Sequence, residues 1–171
     1  MKVSELELPE GNPYYKKYID TLGDVELMDI MTRQLTNFPQ FIKSIPQEKS
    51  RHAYAEGKWT IAEVFQHIAD TERIFQYRAL RFSRNDFTPL MGFEQDDYVP
   101  ESFANKKSIE EIITEYKAVR SSTLSLFSWF NDEVLKREGT ASGMPMSVAA
   151  LGFMICGHQK HHRNVIRERY L

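Results

Sequence analysis

Apolar residues recur every three or four positions in four stretches of this sequence, which is the spacing of an amphipathic helix. The stretches cover residues 25–45, 60–83, 108–131 and 147–170, and none of them alternates in the manner of a strand. Helices with one apolar face each can bury those faces against one another. The pattern therefore predicts an all-α fold, a four-helix bundle, in a single domain that spans residues 1–171.

Two of the predicted helices begin with the residues of a capping box. Thr60 is followed by Glu63, and Ser108 is followed by Glu111. In this motif the hydroxyl oxygen accepts a hydrogen bond from an N–H of the first turn, and the carboxylate accepts one from the N–H of the cap residue. The two pairs predict where the second and third helices start.

Proline and glycine mark the expected interruptions. Pro39 lies inside the first predicted helix, where its missing N–H predicts either a kink or a later helix start, and Pro46 ends that helix. Residues 139–145 contain two glycines and a proline, so we expect them to break the chain ahead of the fourth helix.

A long crossover, residues 85–107, joins the second predicted helix to the third. It contains two prolines and a glycine among large apolar residues that include Phe87, Leu90, Met91, Phe93, Tyr98 and Phe103. A simple connector would be polar. We therefore expect this segment to bury its apolar side chains and to cover a functional site.

Two of the five histidines fall on the apolar face of the fourth predicted helix. At about 100° per residue, His158 and His162 lie within about 40° of Leu151 and one turn apart, whereas His161 lies about 80° away on the flank. His67 lies at the edge of the apolar stripe of the second helix, from which it can point at a facing helix. This geometry permits three imidazoles to meet and does not require it.

Three neutral imidazoles from two helices would leave coordination positions open for water or a substrate, as in catalytic zinc sites. The same donors suit nickel, iron, copper and manganese to different degrees. The alternative is a set of core histidines, each of which donates a hydrogen bond to its own carbonyl or carboxylate partner. The spacing alone leaves both interpretations open.

Three further residues are candidates for supporting roles. Asp70 lies one turn after His67 and would either orient its imidazole or remain a solvated surface carboxylate. Arg78 lies about 20° from His67 around the helix, and would either contact an anionic substrate or extend along the bundle surface. Trp59 precedes the second helix, either as a hydrophobic staple or as a pocket wall.

Composition excludes several classes of protein. The 22 Lys and Arg residues are balanced by 24 Asp and Glu residues, which argues against a dedicated nucleic-acid binder. No apolar run has the length of a membrane span. The single cysteine, Cys156, cannot form an internal disulfide and lies away from the histidine face. We expect a cytoplasmic protein with no nucleic-acid or membrane partner.

Three segments of the sequence resemble the DinB/YfiT-like superfamily. They are KWTIAEVFQHIADTER at residues 58–73, TPLMGFEQDDYV at residues 88–99 and GHQKHHRNVIRERYL at residues 157–171. A helix that is preceded by tryptophan and carries one histidine, followed about ninety residues later by His-x-x-x-His, is typical of that family.

The resemblance implies a three-histidine metal site whose ligands match His67, His158 and His162. The ion would be divalent, zinc or nickel first and iron or manganese as alternatives, in a protein that is often a homodimer. Relatives include transferases for low-molecular-weight thiols such as bacillithiol and mycothiol, which implies an S-transferase that acts on small electrophiles. The alternatives are a metal-dependent hydrolase and a non-catalytic bundle that binds metal or a small ligand in a stress response.

Overall fold

The computed structural model describes residues 1–8 and 13–171, and four of its helices form the predicted bundle. In chain order the elements are α1 (Pro13–Ile19), α2 (Leu27–Lys43), α3 (Ile61–Ser83), α4 (Gln95–Glu101), α5 (Ile109–Phe127), α6 (Asp132–Leu135), β1 (Glu138–Ala141), β2 (Met144–Ser147) and α7 (Val148–Arg169). The four long helices α2, α3, α5 and α7 make up the bundle, so the all-α, four-helix-bundle prediction is confirmed. None of the described helices combines the length and the hydropathy needed to cross a membrane.

The predicted helix starts are confirmed by their caps. Thr60 Oγ1 accepts the Glu63 N–H at 3.2 Å, and the Glu63 carboxylate accepts the Thr60 N–H at 2.7 Å. Ser108 and Glu111 repeat the arrangement at 3.2 and 2.7 Å. Both capping boxes satisfy N–H groups that a helix start leaves without an intrahelical partner.

Two helix boundaries differ from the expectations. Helix α2 runs through Pro39 to Lys43, so the alternative of a helix that starts after the proline is wrong. Pro39 is buried, and its packing in the core offsets the loss of the backbone hydrogen bond that proline cannot donate. Helix α5 ends at Phe127, before the predicted residue 131, because the Asn131 side chain accepts the Val134 N–H at 3.0 Å and caps α6.

The four bundle helices run in two parallel pairs. Helices α2 and α3 each pack against both α5 and α7. One apolar cluster draws on the N-terminal halves of α2 and α7 and on the C-terminal parts of α3 and α5, and the other cluster draws on the opposite halves. Helix α3 therefore runs parallel to its neighbour α5, and the long crossover is needed to return the chain to the level at which α5 begins.

A layer of buried polar side chains separates the two apolar clusters. Each long helix contributes to it between its two sets of apolar residues, with Gln34 on α2, Thr71 and Glu72 on α3, Arg120 on α5, and His158 and Gln159 on α7. Buried polar groups require partners. The layer contains two polar centres, one around Arg120 and Glu72 and one around the histidines. They differ in whether their groups find partners within the chain.

Residues 139–145, expected only as a break, lie in a β-hairpin. Strand β1 pairs antiparallel with β2 through a two-residue turn, in which Ser142 and Gly143 have φ angles of 53° and 75°. The four-helix bundle therefore carries a short hairpin between its third and fourth long helices. Gly139 permits the strand to lie against α3, because a Cβ atom there would come within 2.2 Å of the Phe82 ring.

The hairpin holds the crossover in place. Leu90 donates its N–H to the Thr140 carbonyl, and Ser142 donates its N–H to the Leu90 carbonyl, both at 2.9 Å. Within α4 only Val99 is buried. The expectation that the crossover buries its apolar residues is wrong for most of them. Phe87, Met91, Tyr98 and Phe103 are exposed, and all but Tyr98 lie outside α4.

Candidate metal centre

Three histidines from two packed helices meet in the polar layer. His67 lies on α3, and His158 and His162 lie one turn apart on α7. Nε2 of His158 is 3.0 Å from Nε2 of His67 and 3.0 Å from Nε2 of His162. Within residues 1–8 and 13–171, these side chains form the one group of three or more His, Cys, Asp or Glu side chains suited to a metal ion. The structure thus brings together the three histidines singled out in the sequence.

The two contacts of His158 cannot both be hydrogen bonds. An imidazole nitrogen presents either one N–H or one lone pair in the ring plane, so it can pair with one neighbour at a time. A cation held by the three rings would remove the conflict, because each imidazole could then offer it a lone pair. Two nitrogen ligands about 2.0–2.1 Å from a shared ion lie about 3 Å apart. The two separations of 3.0 Å from His158 fit that arrangement, and the three ligand atoms all lie within 4.8 Å of one another.

Burial keeps the three imidazoles neutral at pH 7. Loss of hydration lowers the pKa of His67 to about 4. Burial also lowers the pKa of His158 and of His162 well below 6.5, and the neighbouring histidines lower both further. A neutral imidazole offers the lone pair that a metal ion requires.

Thr71 is the residue that lies against the other ring nitrogen of His67. Its Oγ1 is 3.4 Å from Nδ1. The Asp70 carboxylate instead accepts hydrogen bonds from Gln66 and Arg73, each at 3.0 Å. Of the two roles that the sequence left open for Asp70, these contacts do not favour the one in which it orients the imidazole. The i+4 spacing of Thr71 from His67 is the sequence signal that could have identified it.

Aromatic rings surround the histidines. The Trp59 and His67 ring centroids are 4.8 Å apart, so this tryptophan forms a wall of the site. The Tyr18 ring lies 5.6 Å from the His158 ring and 5.1 Å from the His161 ring. His161 is partly buried on the flank of α7 and remains outside the three-histidine group.

A cavity of about 390 Å³ reaches the site from one side, and we call it the arginine cavity. Arg78, 3% exposed, lies in its wall, so the alternative of an arginine extended along the surface is wrong. Helix α1 and the hairpin also form this wall, which no pattern in the sequence had indicated. Its lining residues include Thr71, Phe75, Arg78, Phe93, Ser142 and His158.

A second cavity, of about 430 Å³, reaches the site at His162, and we call it the tryptophan cavity. Its lining residues include Lys58, Trp59, Asp96, His161, His162 and Tyr170. The crossover borders both spaces, since Glu94 and Gln95 line the arginine cavity and Asp96 lines the tryptophan cavity. The two cavities therefore border different histidines of the group.

Cys156 is buried, and burial raises its pKa to about 12. The thiol stays protonated at neutral pH, as expected of a packed cysteine and unlike a nucleophile.

Known proteins share both the sequence pattern and the fold. The sequence model of the DinB superfamily matches residues 30–166, a range that includes all three histidines. A protein from Oceanobacillus iheyensis named "Putative metal-dependent hydrolase" is 24% identical over 123 residues, which are 71% of this chain and 70% of that protein. The fold is similar to that of YfiT from Bacillus subtilis, which is described as a probable metal-dependent hydrolase with an unusual four-helix bundle topology. The TM-score is 0.71 and the sequence identity is 16%, and the match covers 96% of this chain and 91% of YfiT.

Proposed function

This chain belongs to the DinB superfamily, and from that premise we propose that it is a metal-dependent enzyme in which His67, His158 and His162 hold one divalent cation. The observation that carries the proposal is the position of His158 Nε2, 3.0 Å from two other imidazole nitrogens. Imidazole donors suit zinc and nickel first, with iron and manganese as alternatives.

Two properties of these ligands suit a catalytic role: their neutral charge and their number. A divalent cation bound there would supply Lewis acidity, which lowers the pKa of a coordinated water or thiol toward neutrality. The three imidazoles are neutral and so do not cancel the positive charge. Three protein ligands also leave coordination positions open, as catalytic sites require.

The finer proposal is that the nucleophile is a low-molecular-weight thiol and that the reaction is S-transfer to a small electrophile. Its support is the pair of cavities, which reach His158 from one side and His162 from the other. In the reaction the sulfur forms a bond to an electrophilic carbon. The thiol proton passes to solvent, and the leaving group departs with the electrons of the broken bond.

Hydrolysis is the second candidate. The O. iheyensis protein and YfiT are both described as metal-dependent hydrolases, and the same three ligands serve an attack by water. A third possibility is a non-catalytic bundle that binds metal or a small ligand in a stress response, with the same ligands.

Turnover with and without thiol separates these functions. The untagged protein is loaded with zinc or nickel and mixed with bacillithiol, mycothiol or cysteine and 1-chloro-2,4-dinitrobenzene; S-transfer predicts faster formation of the S-aryl product. A hydrolase would instead release 4-nitrophenolate from 4-nitrophenyl acetate without thiol. His162→Ala should abolish either activity and His161→Ala should retain it. If the protein binds metal and shows neither activity, the result would favour the third possibility, the non-catalytic bundle.

Three predictions about the protein's setting stay predictions: a homodimer, a cytoplasmic location and a small-molecule substrate. Of these, the dimer is the simplest to measure. Light scattering of the purified protein should give twice the mass of one chain, and a single-chain mass would remove that prediction.

A further inference from the structure

Arg78 carries a buried positive charge that no carboxylate of residues 1–8 or 13–171 pairs with. Its Nη2 donates to Ser142 Oγ at 2.8 Å and to the Met91 carbonyl at 3.3 Å, and both acceptors are neutral. Glu94 lines the same cavity, but its carboxylate is exposed and accepts the Asp96 N–H at the start of α4.

A buried charge without a counterion is costly, and proteins rarely retain one unless something pairs with it. Burial lowers the pKa of Arg78, which reflects the hydration that its guanidinium has lost. A guanidinium has five N–H donors, and the two hydrogen bonds of Nη2 leave donors available to a ligand. A planar oxyanion is the group that this fork binds best.

Aromatic and apolar side chains make up about half of the remaining wall of the arginine cavity, and polar side chains make up the rest. Phe75 stacks beside the guanidinium at 5.7 Å, and Phe93, Tyr15 and Met144 add to the wall. A volume of about 390 Å³ is suited to a small molecule. His158 lies in the same wall, so a ligand held at Arg78 is in the space that the histidine group borders.

We propose that the arginine cavity binds a small organic oxyanion, a carboxylate or a phosphate monoester on an apolar body, with the anionic end at Arg78 and the remainder directed toward His158. The assignment of this anion as the substrate rests on the proposed function, whereas its binding at Arg78 does not.

Titration calorimetry with benzoate and phenyl phosphate tests the proposal, with benzamide as the uncharged counterpart of benzoate. The 171-residue chain treated with chelator and its His162→Ala variant are compared with the metal-loaded chain. This comparison separates coordination of the probe to the ion from binding at Arg78. We expect one of the two anions to bind metal-free protein about 10- to 100-fold more tightly than benzamide does. Which anion binds identifies the oxyanion.

Arg78→Gln should reduce anion binding to the level of benzamide, and Arg78→Lys should retain part of the preference. Arg73→Gln removes a guanidinium that lies outside the arginine cavity, so it should bind the anion within about threefold of wild type. Equal binding of benzoate, phenyl phosphate and benzamide by wild type would overturn the proposal, as would anion binding that disappears with the metal. Arg78-dependent binding in a protein that takes up no metal would keep this site and remove the proposed function.

Discussion

Two buried polar centres lie in the same layer of the bundle, and they differ in how their groups are satisfied. In the ion-pair centre, Arg120 donates from Nε and Nη2 to the two Glu72 oxygens at 2.7 and 2.9 Å and from Nη1 to Gln34 at 2.8 Å. In the histidine centre, His158 faces His67 and His162 across contacts that cannot all be hydrogen bonds.

The difference shows that burial alone does not identify a functional group. The ion-pair centre is complete within the chain, so it joins α2, α3 and α5 without needing a ligand. The histidine centre leaves contacts of His158 that hydrogen bonds cannot all satisfy, and a bound cation is what the proposed function places there. The two buried arginines repeat the contrast, because Arg120 has Glu72 as a counterion and Arg78 has neutral acceptors.

Breaking the ion-pair centre should have the largest effect on stability. Glu72→Ala leaves the Arg120 charge buried and unpaired, which should lower the free energy of unfolding by about 3–5 kcal/mol. Equilibrium unfolding in urea measures this change. The double variant Glu72→Leu, Arg120→Met removes both charges and should recover most of the loss while retaining full metal content. A loss of unfolding free energy below about 1 kcal/mol for Glu72→Ala would argue that the ion-pair centre is not desolvated as described.

Acid should destabilise the metal-free protein through the histidine centre. As the pH falls through 6.5 the unfolded chain takes up a proton at His67, whereas the folded chain does not until the pH approaches its pKa of about 4. Because the unfolded state binds more protons in this window, stability falls with pH, by about 2 kcal/mol between pH 6.5 and 5 from His67 alone. His158 and His162 act in the same direction.

Urea unfolding at pH 6.5 and pH 5, in the presence of chelator, measures the acid effect. The control is His67→Gln, whose stability should fall less steeply over the same interval. Equal stability of the wild type at both values would mean that the folded state does not hold these imidazoles neutral.

A smaller effect, on metal affinity, is expected at Thr71, whose hydroxyl lies beside His67. Thr71→Val removes the hydroxyl 3.4 Å from His67 Nδ1 and keeps the side-chain volume. Metal affinity, measured by competition with a chelator, should fall about tenfold with no loss of the fold. Thr71→Ser keeps a hydroxyl and should bind metal nearly as well as wild type. An equal loss of metal affinity in both variants would mean that the methyl group of Thr71, and not its hydroxyl, supports metal binding.

The smallest effect is expected at Asp70. Its carboxylate pairs with Gln66 and Arg73, so Asp70→Asn should change metal affinity by less than about twofold. The same chelator competition measures this change. A tenfold loss would return Asp70 to the orienting role that its spacing suggested.

Local features of the fold could be predicted because they depend on neighbours in the sequence. The caps at Thr60 and Ser108 are set within one turn, and the convergence of His158 and His162 follows from helical periodicity. That His67 meets them depends on the packing of α3 against α7, which the sequence permitted and did not require. Their role as metal ligands stays a prediction.

Long-range features could not be predicted in the same way. The Arg120–Glu72 pair joins residues 48 positions apart, and it requires knowing that α3 and α5 are neighbours. The hairpin had a signal, since the dipeptide Ser142–Gly143 suits a tight turn. Its strands contain Gly139 and Pro145, which disfavour strand structure, and packing against α3 overrides that local preference.

The metal content of the untagged protein tests the central claim most directly. Plasma mass spectrometry is applied to the wild type and to the His67→Ala, His158→Ala, His162→Ala and His161→Ala variants, each after reconstitution with zinc and with nickel. We predict about one divalent ion per chain in the wild type and in His161→Ala, and almost none in the other three. A wild type that takes up no ion, or a His161→Ala variant that loses it equally, would contradict the three-histidine site.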